Sequence, residues 1–135
     1  MAITNKEVRQ LLVAVTAQGK TLDSAIDPRF GRSSHLVIVD TETLEAKGFE
    51  NPNLAASGGA GIQTAQMLCD MNVEAVITGN VGPNAIRTLS ASGITVYTDA
   101  QGSVRSAVDN LKEGKLRTAE SATVDSHFGM GRRRY

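Results

Sequence analysis

A single cysteine, Cys69, stands among the 135 residues of the chain. One thiol cannot close an internal disulfide, nor can it build the multi-cysteine sites that hold zinc or iron–sulfur clusters. Tryptophan is absent and aromatic residues make up only 4%, too few to offer stacking platforms for single-stranded nucleic acid. Neither sign of charge is in excess, since 14 Lys and Arg balance 14 Asp and Glu, and no global field recruits a nucleic acid. No apolar run approaches the roughly 20 residues of a membrane span. Asn5 to Gln10 is polar and charged, and the apolar run behind it is too short for a signal peptide, so a cytoplasmic location is expected.

The chain that remains is 41% hydrophobic and 21% charged, ordinary proportions for one soluble domain with a real core. Thr4 to Glu7 has the form of a capping box, but no apolar periodicity follows, so residues 1–10 are taken as an extension. Leu11 to Thr16 is a continuous apolar run of strand length, suited to a strand covered on both faces. Residues 17–34 form a long polar loop, a length often tied to function. His35 to Asp40 predicts a second strand, Thr41 to Leu44 a hairpin turn, and Glu45 to Glu50 a more polar third strand towards an edge.

After Asn51-Pro52-Asn53, a glycine cluster (Ser57 to Gly61) opens a helix marked by Ile62, Ala65, Leu68 and Cys69. Val73 to Thr78 is a short buried strand. Gly79 to Asn84 is a second glycine loop, with Pro83 suited to the first turn of a helix that ends near Ser92 and Gly93. Ile94 to Thr98 is a fifth strand, and Val104, Ala107, Val108 and Leu111 mark a third helix. From Arg117 onward the chain is polar and ends in an arginine run, Arg132 to Arg134; residues 117–135 are expected to be a flexible basic tail. The domain proper is thus residues 11–116.

The order β-β-β-α-β-α-β-α implies an α/β fold with a five-stranded mixed sheet and helices packed on it, the ribonuclease H-like three-layer arrangement. Strands one, four and five would be parallel and central, with the hairpin extending the sheet on one side. Ligands of open α/β sheets bind outside the carboxyl ends of such strands. That edge would collect Asp27-Pro28-Arg29-Phe30-Gly31-Arg32, the glycine loop 79–84 and the loop 99–103. Three helix N-termini would point N–H donors into one space, which favours anions, and Arg29 and Arg32 would add permanent charge. Each feature has a plainer reading as well: solvated surface arginines, and glycines that merely open a helix. Ser57 to Gly61 matches neither a phosphate-binding loop nor a complete G-x-G-x-x-G motif.

Catalytic readings find less support. A metal-dependent nuclease needs clustered carboxylates, whereas the first strand has none and Asp40 and Asp99 sit alone at strand ends. Cys69 falls on the apolar face of its helix, where a buried, inert thiol is expected. His35 is a candidate metal or sulfide contact at the mouth of the site, or else a structural strand-end histidine. His127 and Met130 are candidate donors to a thiophilic metal, and the terminal arginine run could dock to an acidic partner.

Three segments carry a resemblance: Asp27 to Arg32, Gly59 to Ala65 (GAGIQTA) and Gly79 to Ala85 (GNVGPNA). In order and spacing they resemble the dinitrogenase iron–molybdenum cofactor biosynthesis family, which includes NifX-type carriers, the C-terminal domain of NifB and the orange protein. The resemblance spans roughly residues 11–116. It implies a ribonuclease H-like fold without nuclease activity, and non-covalent carriage of an anionic molybdenum-, iron- or copper-containing sulfide cluster. Carriage in turn implies cluster-donor and cluster-acceptor proteins, with no role for nucleic acid or membrane. Carried over residue by residue, Arg29, Phe30, Gly31 and Arg32 form the cluster-facing loop, and Gly79, Asn80, Gly82, Pro83 and Asn84 the opposing one. Gly59 and Gly61 complete the candidate set. A preassembled thiometallate brings its own sulfides and calls for cations and N–H donors rather than thiolates. The chain shows no radical-enzyme portion with its cysteines, so carriage rather than cofactor assembly is expected. The different-class alternatives are a small-molecule anion or nucleotide sensor using the same pocket, and a protein-interaction module.

Overall fold

A computed structural model describes residues 11–53 and 59–119. Leu12–Ala17 (β1) lies at the centre of the sheet, and its alternate side chains serve two different cores. Val13, Val15 and Ala17 pack on one face, Ala14 on the other, and all are fully buried. Burial on both faces explains why this strand is a continuous apolar run rather than an alternating one.

β1 pairs antiparallel with His35–Asp40 (β2), Leu12 opposite Asp40 and Ala17 opposite His35. β2 pairs antiparallel with Ala46–Glu50 (β3), which lies at an edge and is mostly exposed. On its other side β1 runs parallel to Ala75–Ile77 (β4), which is parallel to Thr95–Thr98 (β5). The parallel centre and the flanking hairpin therefore stand as the sequence suggests. The sheet, however, has six strands, in the order β3-β2-β1-β4-β5-β6. The sixth, Arg117–Thr118 (β6), is antiparallel to β5, and Ala119 adds an N–H bond of 2.8 Å to the Val96 carbonyl. Two residues leave no periodicity to recognise, so the start of the expected tail instead closes the outer edge of β5. The remainder of that tail, with His127, Met130 and the arginine run, lies outside the described residues, as does the extension at 1–10.

Helices lie on both faces. Ala60–Asp70 (α1) and Pro83–Ala91 (α2) bury Ala65, Leu68, Ala85, Ile86 and Leu89 against Ala14, Val76 and Val96. Val104–Lys112 (α3) buries Val104, Ala107 and Val108 on the opposite face against Val13, Val15 and Ile77. Each buried set follows the 3.6-residue period that puts i, i+3 and i+4 on one face. Among the described residues no helix is long and apolar enough to cross a membrane.

The long loop between β1 and β2 is pinned at several points. Ile26 is buried in the α3-side core, Ala25 bridges Ser103, and Arg29 forms a parallel bridge with Asn80. Those bridges fix the arginine segment against the loop that follows β4.

Candidate functional site

Asp27 organises the arginine loop. Its carboxylate is 5% exposed, and Oδ1 accepts the backbone N–H of Arg29 at 3.1 Å and its Nε at 3.4 Å. Oδ2 accepts the N–H of Ser34 at 3.3 Å. One side chain thus ties together both ends of the Arg29–Arg32 turn, and the proline before it stiffens the approach. Beneath it, Thr16 Oγ1 donates to the Asp27 carbonyl at 2.6 Å and lies 2.8 Å from Thr78 Oγ1. A hydroxyl has one proton to give, so the Thr78 hydroxyl donates to Thr16 and the chain runs Thr78 to Thr16 to Asp27. It joins the ends of β1 and β4, the strands that deliver the two loops.

The loops then meet backbone to backbone. Asn80 N–H donates to the Pro28 carbonyl at 2.8 Å, and Phe30 N–H donates to the Asn80 carbonyl at 3.2 Å. A Cβ on Gly79 would stand 2.8 Å from Pro28 Cα, and one on Gly31 would stand 2.7 Å from Gly61 Cα. Gly31 also has φ +91°, a conformation that favours glycine. A Cβ on Gly61 would in turn reach the Ala85 methyl at 3.3 Å. The arginine loop is therefore wedged onto the first turn of α1, and α1 onto the first turns of α2.

Both α1 and α2 begin at this junction. Gly59 and Gly82 are the N-cap residues, and neither provides a side-chain cap. First-turn N–H groups without a cap retain donor capacity for an anion. α3 differs: Ser103 and Ser106 form a reciprocal capping box, Val104 N–H donates to Ser24 and Arg105 N–H to Leu22. Its start is occupied, and it lies on the opposite face. Two helix N-termini, not the expected three, adjoin the arginine loop.

The arginines differ from each other. Arg29 is 45% exposed and engaged through Nε with Asp27. Arg32 is half-buried, and among the described residues its guanidinium has no carboxylate partner. A family model described as dinitrogenase iron-molybdenum cofactor matches residues 11–114, a span that holds every element of this junction. The chain belongs to that family. It is similar to the apo form of the orange protein from Desulfovibrio gigas, at 38% identity over 86% of this chain and 98% of that one, with a TM-score of 0.82. A putative NifB protein from Thermotoga is 37% identical over 84% of this chain and 97% of its own, with a TM-score of 0.73. An uncharacterized protein of Methanocaldococcus jannaschii is 34% identical over 73% of this chain and 86% of its own.

Within this member of the dinitrogenase iron–molybdenum cofactor family, the remaining candidate residues fall into distinct places. Phe30, expected to face the cargo, buries its ring in the core beneath α1 and α2 and is 8% exposed. It anchors the loop, because an aromatic ring held in a packed core fixes the backbone on either side. Asn80 is half-buried with its backbone engaged, Pro83 occupies the first turn of α2, and Asn84 is exposed, with Oδ1 accepting from Arg87 at 3.1 Å. Gly59 is exposed in the left-handed region with open space around it. His35 shares the strand parity of Val37 and Val39, which face α3, and its Nδ1 lies 2.9 Å from the Ser34 hydroxyl. It lies on the face away from α1 and α2.

Cys69 is half-buried rather than enclosed, and its thiol lies 3.0 Å from Ser92 Oγ between the far ends of α1 and α2. Asp40 closes the hairpin by accepting from Glu42 and Thr43, and Asp99 lies 3.9 Å from Arg117. Among the described residues no group of three or more His, Cys, Asp or Glu is arranged to hold a metal ion. Sequence reasoning missed Thr16, Thr78 and Asn51. Asn51 is buried and donates through Nδ2 to the carbonyls of Gly31 and Ser33 at 3.2 and 3.1 Å. The Asn-Pro-Asn signal points only to a turn, and nothing in it reveals that the side chain reaches back to the arginine loop.

Proposed function

We propose that this protein is a non-catalytic carrier or scaffold that holds an anionic metal–sulfur cluster, of the iron–molybdenum cofactor precursor or molybdenum, copper or iron sulfide type. The cluster is cargo, bound without covalent bonds at the junction of the arginine loop with the starts of α1 and α2. One observation carries the reading: two helix N-termini without side-chain caps meet a braced loop whose Arg32 guanidinium has no carboxylate partner among the described residues. Membership in the dinitrogenase iron–molybdenum cofactor family supports the choice of cargo. N–H donors and guanidinium groups bind the sulfide surface of a preassembled cluster by charge-assisted hydrogen bonds, and metal-ligating side chains are not required for that.

Anaerobic purification from the native host, followed by elemental analysis and an absorption spectrum, tests the reading. The expected result is protein-bound molybdenum, iron or copper with sulfide and a visible absorption band. Protein that is colourless and metal-free, and that stays so after anaerobic incubation with tetrathiomolybdate and copper, would sink it. A sensor of phosphates or nucleotides is the competing use of the same cations. Thermal shift separates them, since a ligand at 100 times its dissociation constant stabilises the fold by about 2.7 kcal/mol. Thiomolybdate is expected to give that shift and nucleotides to give none, in keeping with a Phe30 ring that is buried in the core rather than free to stack on a base.

A further inference from the structure

A carboxylate buried at the base of an anion site is unexpected, because it repels what the site attracts. Resting on the anion-site reading above, we infer that Asp27 is a charge-setting residue: it offsets Arg29, leaves Arg32 to supply most of the net attraction, and biases the site against highly charged anions. The segment Asp27 to Arg32 holds two guanidinium groups and one carboxylate, so its formal sum is a single positive charge. The two signs are not screened alike. The Asp27 side chain is 5% exposed and that of Arg29 is 45% exposed, and a buried charge acts through a lower effective dielectric than an exposed one.

The bonding points the same way. Asp27 Oδ1 takes the Nε of Arg29 as well as its backbone N–H, so one edge of that guanidinium faces the carboxylate rather than a ligand. Among the described residues Arg32 has only its backbone N–H engaged, donating to the Arg29 carbonyl at 3.3 Å. A site with one net charge and many backbone donors favours a large anion of low charge density, such as a thiometallate, over a compact polyanion. Coulomb repulsion from Asp27 grows in proportion to the ligand's charge, and that proportionality separates a charge-setting role from a loop-closing one.

The probes are tetrathiomolybdate, a dianion, and pyrophosphate, which carries more charge. Asp27→Asn keeps an oxygen for Arg29 and sets an amide group against the Ser34 N–H, so its folding is checked by thermal melting. The folded variant is expected to bind tetrathiomolybdate on the order of tenfold tighter at low salt. Pyrophosphate should gain more, and both gains should shrink as salt rises. In the otherwise unaltered chain, Arg32→Gln is expected to lose several times more affinity than Arg29→Gln, and this pair decides the matter if Asp27→Asn does not fold. Unchanged or weaker binding by a folded Asp27→Asn, or equal losses in the two arginine variants, would overturn the role of Asp27 and leave the anion site standing. An unaltered chain that binds neither probe would overturn the site reading, and this role with it.

Discussion

Glycines shape the arginine loop and the helix start beside it, and two of them differ in ways that a stability measurement resolves. Gly31→Ala adds a Cβ at φ +91° that meets the backbone of Gly61; the combined strain and overpacking should cost about 2–4 kcal/mol. Gly59→Ala meets open space and carries only the left-handed penalty, about 1–2 kcal/mol. Urea denaturation with unchanged slope and shifted midpoints reads both, and a Gly59→Ala loss as large as that of Gly31→Ala would contradict the wedged-loop geometry. The glycine clusters were visible in the sequence, and their pairing was not. A glycine that cradles an anion and one that admits a neighbouring backbone look the same as letters; Gly31 and Gly79 are at least the second kind. Asp27 was equally visible as part of the motif, yet only the folded loop brings its carboxylate between Arg29 and Ser34.

Helix starts are where the three described helices part company. α3 has a complete capping box and a covered first turn, whereas α1 and α2 begin at glycines without side-chain caps. Ser103→Ala should therefore cost about 1 kcal/mol of stability while leaving thiomolybdate affinity within twofold of the parent. Paired urea and binding measurements test this, and a clear loss of affinity would mean that α3 contributes to the site after all. The periodicity of Val104, Ala107, Val108 and Leu111 placed this helix correctly. It could not reveal which face of the sheet the helix covers, because sidedness is set by crossover connections and not by spacing along the chain. Two strands parallel to β1 and two helices on one face leave the third helix on the other, and with it goes the third expected donor terminus.

For the whole molecule, β6 is the outermost strand on its side of the sheet among the described residues, and that boundary lends itself to truncation. Ending the chain after Ala119 keeps Arg117–Thr118 paired with β5 and the Ala119 bond to Val96, while removing the arginine run. Thiomolybdate binding is expected to survive unchanged, measured by anaerobic titration; its loss would place part of the site beyond Ala119. The continuous apolar run of β1, buried on both faces, and the βα order made the three-layer architecture legible from sequence, since every apolar run had a face to cover. The edge strand β6 and the buried hydroxyl chain from Thr78 to Asp27 were not legible, because both depend on contacts between distant segments. The central claim is that the arginine loop, braced on α1 and α2, holds a sulfide-rich anion. It is tested most directly by anaerobic titration of the parent and the Arg29→Ala/Arg32→Ala variant with tetrathiomolybdate and copper, followed by the bound visible chromophore after gel filtration. The parent should retain the chromophore and the variant should bind at least tenfold more weakly, as the loss of charge-assisted bonds requires; a variant that retains it as well as the parent would contradict the account.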